Sequence, residues 1–169
     1  MVKYSMRILG IDPGTINSGY GVVDADEEIR MVDFGVFSFS RRTSKEKRLY
    51  SLYCSLNEII ARYRPDEMAI EEPFVGLNAR SAFAIGTAQA IAILAGASQQ
   101  LPIYYYSPAQ VKLQVTGYGR GDKRQIQEMV RIQLGLPQYP EPSDAADALA
   151  VAICHIQQSC LNRRLANKG

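Results

Sequence analysis

Four acidic residues stand where short elements of the chain end or begin. Asp12 closes the apolar run RILGID before a Pro-Gly pair, and Glu71 closes the run EMAIE. Asp144 and Asp147 are three residues apart at the start of an alanine-rich segment, so on a helix they share one face of the first turn. Single Asp residues are common in turns and at helix starts for structural reasons. The combination of four acids in this order and spacing indicates a functional site.

Such a cluster of carboxylates would need cations. Two carboxylates about 4 Å apart repel by roughly 4 kcal/mol at an effective dielectric constant near 20. Hard divalent ions such as Mg²⁺ prefer carboxylate and water oxygens, and the chain has a single His and no CxxC spacing to suit a softer metal. Two such ions about 3.5–4 Å apart hold the attacking water and the leaving oxygen of a phosphodiester. The residues therefore predict phosphodiester hydrolysis with two Mg²⁺ per site, or Mn²⁺ as a substitute.

Two basic segments could bring a polyanion to this site. Residues 41–48 carry five positive charges and one negative charge, and residues 112–131 carry five positive charges and two negative charges. The net charge of +2 neither requires nor excludes a nucleic acid. Basic patches beside an acidic cluster suit a phosphate backbone that approaches a metal site, although solvated helix faces give the same pattern.

The first half of the chain predicts three strands, one helix and a fourth strand. The three strands are expected at 7–12, 19–24 and 31–39. Short turns join them, so they are antiparallel. A helix with apolar residues at helical spacing begins at Thr43, ends before Pro65 and leads to a strand at 67–71.

This order predicts that two of the acids meet. A helical crossover returns the chain parallel to an earlier strand. The carboxyl ends of the first and fourth strands, with Asp12 and Glu71, should then lie side by side. Side chains alternate between the faces of a strand, which favours Glu71 over its neighbour Glu72 as the site residue.

The second half predicts a helix, a strand and three more helices. The helices are expected at 78–100, from Ser107-Pro108, from the cap Asp122 to about Leu134 and from the cap Ser143 to about Gln158, with a strand at 102–106. The order predicts one α/β domain over residues 1–160: a mixed five-stranded sheet, three antiparallel strands followed by two parallel ones, with helices on both faces. Residues 161–169 are expected to form a short, basic, disordered tail.

Length and composition fit one soluble domain. The chain has 169 residues, of which 47% are hydrophobic and 21% charged, enough for one packed core. Its three Cys residues lack metal-like spacing, which favours free thiols in a reducing compartment. Neither a signal peptide nor an apolar run long enough to span a membrane is evident, so we expect a cytoplasmic protein with no membrane contact.

Three motif blocks resemble those of the RuvC-type Holliday junction resolvases. They are GIDPGT at 10–15, AIEEPF at 69–74 and SDAADALAVAICH at 143–155, and SPAQVKLQVTGYGRGDK at 107–123 fits the region between the second and third blocks. The resemblance implies a ribonuclease-H-like fold, a homodimer, Mg²⁺ dependence and paired symmetric nicks at four-way DNA junctions in recombination and repair. It also implies cooperation with the RuvA–RuvB branch-migration complex and a bacterial, nucleoid-associated protein in the cytoplasm.

The resemblance also implies roles for individual residues. By position, the four metal-ligating acids of the family correspond to Asp12, Glu71, Asp144 and Asp147. Lys112 and Lys123 match basic residues used at or near the scissile phosphate, and Phe74 matches an aromatic residue that stacks on junction bases. Further DNA contacts are expected from Asn78, Arg80, Arg120 and Arg124. Some members carry Lys where this chain has Gly76 and Leu77.

Two other functions fit parts of the pattern. An actin-like or sugar-kinase-like ATPase also has a phosphate loop after its first strand, but it needs two duplicated domains around a cleft. A non-catalytic DNA-binding module on the same fold would not need four acids. The loop at 117–123 lacks the Gly-Lys-Ser/Thr ending of a P-loop.

Two helical features have structural interpretations. His155 lies two turns beyond Asp147, about 12 Å away at 1.5 Å per residue, so it is expected to be structural rather than a metal ligand. The helix at 78–100 is rich in Ala and Gly, and its face away from the sheet is the candidate dimer interface.

Overall fold

The computed structural model describes residues 5–73, 76, 78–119 and 121–166, the last range without the side chains of residues 163 and 164. Within these residues the strands are β1 Met6–Asp12, β2 Asn17–Ala25, β3 Ile29–Ser38, β4 Glu67–Glu71 and β5 Ile103–Tyr106. The helices are α1 Lys45–Tyr63, α2 Ala79–Ser98, α3 Pro108–Thr116, α4 Lys123–Gln133 and α5 Ser143–Ala166.

The strands form one mixed sheet in the order β3-β2-β1-β4-β5. β1, β2 and β3 pair antiparallel, whereas β4 pairs parallel to both β1 and β5. The predicted mixed sheet is therefore confirmed. Ile11 of β1 lies opposite Ile70 of β4, so Asp12 and Glu71 follow a paired position at the same edge of the sheet.

Helices cover both faces of the sheet, as predicted. On one face, α1 and α2 bury residues such as Leu56 and Ala92 against Leu9 and Ile70. On the other face, α5 lies on the strands, and α3 and α4 pack against α5. Each large aliphatic side chain that is fully buried in these layers contributes about 1.5–3 kcal/mol of hydrophobic stabilisation.

Glycines in β1 and β2 allow α5 to lie directly on the sheet. A Cβ atom at Gly10 would be 2.2 Å from the carbonyl oxygen of Ala148, and one at Gly19 would be 2.0 Å from that of Asp144. Buried alanines on α5, including Ala145 and Ala148, complete this close contact. The first turn of α5 is therefore held above the end of β1, where Asp12 lies.

Helix boundaries partly agree with the sequence prediction. Ser107 and Asp122 cap α3 and α4 through complete capping boxes, as expected from their types. The predicted start of α1 at Thr43 is wrong. The Thr43 amide instead donates to the Ser40 carbonyl at 3.0 Å in a preceding turn, and Ser44 is the cap residue.

The last helix is longer than predicted. It starts at Ser143, so Ser143 is not its cap, and the carbonyl of Pro142 accepts from the amides of Ala145 and Ala146. It continues to Ala166 rather than ending near Gln158, because no Pro or Gly interrupts this run of helix-forming residues. Residues 161–166 of the expected disordered tail are thus helical, and 167–169 lie outside the described residues.

One helix among the described residues, α2, is long and apolar enough to cross a membrane by length and composition, contrary to the expectation from the sequence. α2 packs on α1, β4 and β5, with Ala88 and Ala95 buried. Its other face carries Phe83, which is 70% exposed, and Leu94, which is 55% exposed. Core helices pass the same test, so length and composition alone do not assign α2 to a membrane.

The contact at Gly19 predicts a large effect of one methyl group. Gly19→Ala should lower the free energy of unfolding by about 1–3 kcal/mol, because the added carbon overlaps the Asp144 carbonyl and pushes α5 away. Urea unfolding measures the loss. Gly119→Ala is the matched control, because none of the described residues outside its chain neighbours lies within 4 Å of its added carbon, and it should change stability by less than about 0.5 kcal/mol. Equal stability of both variants would contradict the tight contact.

Candidate active site

Strand alternation sends Asp12 and Glu71 to the same face of the sheet. In β1, Ile8 packs in the core on the α5 side, whereas Leu9 packs on the α1 and α2 side. In β4, Ala69 packs on the α5 side. Asp12 and Glu71 continue these series towards α5. Glu72 lies beyond the end of β4 and is exposed.

Asp12 and Glu71 meet through a hydrogen bond between their carboxyl groups. Burial, together with the negative charges of Glu71 and Asp147, raises the pKa of Asp12 to about 9. Burial also raises the pKa of Glu71 to about 7, although the hydrogen bond from Asp12 opposes the rise. Near neutral pH, and without a bound cation, this pair therefore retains a proton.

Lys123 neutralises the third acid. Its Nζ lies 3.1 Å from Oδ2 of Asp147, which is one turn inside α5. Burial raises the pKa of Asp147, and the charge of Lys123 opposes that rise. Burial lowers the pKa of Lys123, but the charges of Asp147, Asp144 and Asp12 outweigh this effect and raise it overall.

Asp144 completes the cluster from the first turn of α5. It is partly buried, and its charge contributes to the raised pKa values of Asp12 and Asp147. The four predicted acids are thus close enough to act on one another, although β1, β4 and α5 are far apart in sequence.

The donor set suits a hard divalent cation. In the arrangement of side chains seen here, no three His, Cys, Asp or Glu groups among the described residues form a ready-made metal cage. The raised pKa values of Asp12 and Glu71 indicate that a proton reduces the charge of this pair, and the ammonium of Lys123 balances the charge of Asp147. Carboxylate oxygens are the ligands that Mg²⁺ and Mn²⁺ prefer, and raised pKa values show that the cluster favours positive charge. The residues present therefore fit such an ion.

A pocket opens beside the acids between α3, α4 and α5. It is lined by Glu71, Pro108, Val111, Lys112, Lys123, Ile126, Asp147 and Ala150. The two lysines that the sequence singled out thus reach the same pocket as two of the acids, Lys112 from α3 and Lys123 from the first residue of α4. Carboxylates and ammonium groups around one opening can hold both a metal ion and a phosphate group.

The other residues proposed to bind DNA have varied positions. Asn78 caps α2 by accepting from the Ser81 amide at 2.9 Å, which engages its side-chain oxygen. Arg80 and Arg124 are exposed on the first turns of α2 and α4. Phe74 and Arg120 lie outside the described residues.

His155 has a different environment from the acids. It is 1% exposed, and its two ring nitrogens lie 2.7 Å from the Tyr106 hydroxyl and 2.6 Å from a Glu67 oxygen. Its ring also lies 4.4 Å from that of Tyr104, measured between centroids. These contacts join α5 to β4 and β5.

Residues that support the site without touching the reacting groups were not predicted from the sequence. Gly10 and Gly19 admit α5, and buried Ser18 donates to the backbone carbonyl of Asp12 at 3.2 Å. Glycines inside predicted strands are typical of close backbone approach. The GYG sequence in β2 could therefore have indicated this contact.

Comparisons with known proteins give one consistent family. A family model described as "Crossover junction endodeoxyribonuclease RuvC" matches residues 8–155. A protein of that name from Dehalococcoides mccartyi is 51% identical over 154 residues, or 90% of this chain and 92% of the relative. Another from Caldicellulosiruptor saccharolyticus is 48% identical over 156 residues, or 91% of this chain and 94% of the relative.

Solved structures agree with the sequence matches. The RuvC protein of T. thermophilus in complex with a Holliday junction substrate superposes with a TM-score of 0.88 at 33% identity, covering 93% of this chain and 96% of that one. The yeast mitochondrial Holliday junction resolvase Ydc2 has a TM-score of 0.68 at 12% identity, covering 99% and 86%, and this match supports the fold alone. The ribonuclease-H-like fold class is confirmed.

The family model spans most of the chain, and relatives of that name are about half identical over nearly its whole length. These matches favour the junction-resolvase family over the actin-like or sugar-kinase-like ATPase as the interpretation of the first strand and its turn. The chain belongs to the RuvC family of crossover junction endodeoxyribonucleases.

Proposed function

We propose that this chain resolves four-way DNA junctions by paired symmetric nicks, with Asp12, Glu71, Asp144 and Asp147 as ligands of two Mg²⁺ ions. The observation that carries the proposal is the meeting of partly buried acids from β1, β4 and α5 beside Lys123. A relative that is 33% identical has been solved with a Holliday junction substrate, which supports the choice of DNA. We assign this function to one domain over residues 1–160.

The acids hold the cations and the lysines hold the phosphate in this proposal. When bound, divalent ions polarise phosphate oxygens and lower the pKa of water. Asp12, Glu71, Asp144 and Asp147 would hold the ions, and the proton on Asp12 and Glu71 would be lost when they do so. Lys112 and Lys123, which line the same pocket as Glu71 and Asp147, would contact oxygens of the scissile phosphate.

Contacts beyond the scissile phosphate are assigned by position in the chain. Arg124 follows Lys123 on the exposed first turn of α4, and Arg80 occupies the first turn of α2 beyond Asn78. These residues and Arg120 bind backbone phosphates in our proposal, and Phe74 stacks on a junction base. Such contacts orient the junction without reading its sequence.

A homodimer provides the two active sites that paired nicks require. A four-way junction has two equivalent strands to cut, and a two-fold dimer presents two identical sites. The outward face of α2 carries Phe83 and Leu94, 70% and 55% exposed, with the small residue Ala90 also exposed between them. We assign the dimer interface to this face, because a contiguous apolar face is typical of protein contacts.

Cellular context follows from the family. We propose that the protein acts in the bacterial cytoplasm, associated with the nucleoid, and cooperates there with the RuvA–RuvB branch-migration complex. A non-catalytic DNA-binding module is the competing interpretation. It differs from the proposal in one measurable respect, which is the absence of Mg²⁺-dependent nicking.

The acid cluster predicts separable effects on cleavage and binding. Asp12→Asn should slow the nicking of a synthetic four-way junction by about 100-fold or more, because a metal ligand is lost. It should keep or strengthen junction binding, because a negative charge near DNA is removed. Strand cleavage and gel-shift assays with and without Mg²⁺, beside linear duplex of the same sequence, measure both. The control Glu72→Gln changes the exposed neighbour of Glu71 and should nick normally. Substantial nicking by Asp12→Asn would remove the assignment.

The raised pKa of Asp12 predicts how stability depends on pH. From about pH 4, the ordinary value for a carboxyl group, to the folded pKa of about 9, the folded state binds a proton that the unfolded state does not. Stability of the metal-free protein should therefore fall as pH rises through this interval. Mg²⁺ should restore stability mainly at the alkaline end, because it replaces the lost proton.

Urea midpoints between pH 5 and pH 9, with and without Mg²⁺, test this dependence. Asp12→Asn should flatten the profile, and Glu72→Gln should leave it unchanged. A wild-type profile that matches that of Asp12→Asn would contradict the shared proton.

The proposed interface predicts a monomeric variant. Leu94→Glu should shift the protein from dimer to monomer in sedimentation, and it should convert paired nicks into single nicks. Ile132→Glu on α4 is the matched control, because Ile132 is 54% exposed and Leu94 is 55% exposed. It should remain a dimer. Dimeric Leu94→Glu protein would place the interface elsewhere.

A further inference from the structure

A cluster of exposed cations occupies the loop after β3 and the first turn of α1. It consists of Arg41, Arg42, Lys45 and Lys47, and we refer to it as the β3–α1 basic patch. Ser38, the last residue of β3, pairs with Asn17, the first residue of β2. The patch therefore follows β3 at the same edge of the sheet at which β1 ends in Asp12.

Backbone contacts tie the patch to the loop that follows Asp12. The Phe39 amide donates to the Ile16 carbonyl at 2.8 Å, and Nε of Arg48 donates to the Thr15 carbonyl at 3.2 Å. These bonds fix the start of α1 against the loop between β1 and β2. The position of the patch relative to the acids is thus set by the fold.

A second contact links the patch to α2. Nζ of Lys45 lies 4.8 Å from the centroid of the Phe83 ring, near the start of α2. The chain reaches α2 directly from β4 and Glu71. The patch therefore borders the loop that follows Asp12 and the N-terminal part of α2, whereas Lys112 and Lys123 approach the acids from α3 and α4.

The cations of the patch form no ion pair with a carboxylate among the described residues. Arg7, Arg30 and Arg131 each form an ion pair with a carboxylate. None of the four patch cations has such a partner within the part of the chain that the structure describes. The only acid in this segment is Glu46, and a hydrogen bond from the Ser44 side chain lowers its pKa.

We propose that the β3–α1 basic patch binds the phosphate backbone of a duplex arm where the arm leaves the active site. Neighbouring strands are about 4.8 Å apart, so β3 ends about 10 Å from β1. Duplex DNA carries one phosphate per about 1.7 Å of its axis, so an arm that crosses this edge presents phosphates to both places. The inference rests on the proposed function and adds a contact surface that positions the arm.

Electrostatic binding of this kind is independent of sequence and sensitive to salt. Arginine and lysine side chains that contact only phosphates orient a duplex without reading its bases. The slope of log affinity against log salt concentration is negative, and each lost phosphate contact makes it less steep by about 0.9. The salt dependence of binding therefore reports the number of phosphate contacts. A change in folding or in catalysis would not produce the same change in slope.

The double variant Arg41→Gln/Arg42→Gln tests the patch. Its slope for binding a synthetic four-way junction without divalent metal should be shallower by about 1–2, with affinity about tenfold weaker or more near 0.1 M salt. Arg41→Lys/Arg42→Lys keeps both charges and should retain most of the affinity.

A matched control removes two charges from the other end of the same helix. Arg62 and Arg64 are exposed at the end of α1, about 28 Å from its start at 1.5 Å per residue over 19 residues. Arg62→Gln/Arg64→Gln should leave the slope unchanged. The proposed role of the patch would be wrong if Arg41→Gln/Arg42→Gln left the slope unchanged, or if the control variant lowered its steepness equally. Normal nicking by the wild-type protein would still support the proposed function in that case. Wild-type protein that neither binds nor nicks junctions would overturn both.

Discussion

The direct contact of α5 with β1 and β2 is the constraint on which the site depends. Side chains at Gly10 or Gly19 would overlap the backbone of α5, so a helix at ordinary packing distance would hold its first turn further from the sheet. Asp144 and Asp147 would then be too far from Asp12 to share a cation with it. The glycines at positions 10 and 19 thus determine whether the acids of β1, β4 and α5 form one cluster.

That proximity makes the metal-free cluster electrostatically unfavourable, and the chain offsets this with its own positive charge. A proton shared by Asp12 and Glu71, and the Lys123 ion pair with Asp147, reduce repulsion in the folded protein. In the proposed function, a bound divalent ion would take over both roles, because it would neutralise the same carboxylates. Lys123 would then be available to bind phosphate, which would link stability and activity through one residue.

Much of this arrangement could be predicted from the sequence, because it follows from local patterns and chain topology. Alternation and the helical crossover correctly placed Asp12 beside Glu71, and the i, i+3 spacing put both α5 acids on one helix face. The end of α5 and the start of α1 could not be predicted as well. The start of α1 depends on the turn hydrogen bond of the Thr43 amide. The end of α5 depends on the absence of a helix-terminating residue after Gln158. The close approach of α5 at Gly19 depends on tertiary packing, which the local hydrophobic periodicity of the sequence does not indicate.

The separation of charges explains how a chain with a net charge of only +2 can act on a polyanion. Salt screens exposed charges beyond about 8–10 Å, so DNA responds to local clusters rather than to the total. Here the four site acids form a partly buried cluster, where a cation could neutralise them. Basic residues that pair with no described carboxylate lie on different elements, with Lys112 on α3, Arg124 on α4 and the β3–α1 basic patch before and at the start of α1. In the proposed function, a bound cation would neutralise the acids, and these basic residues would then contact phosphates.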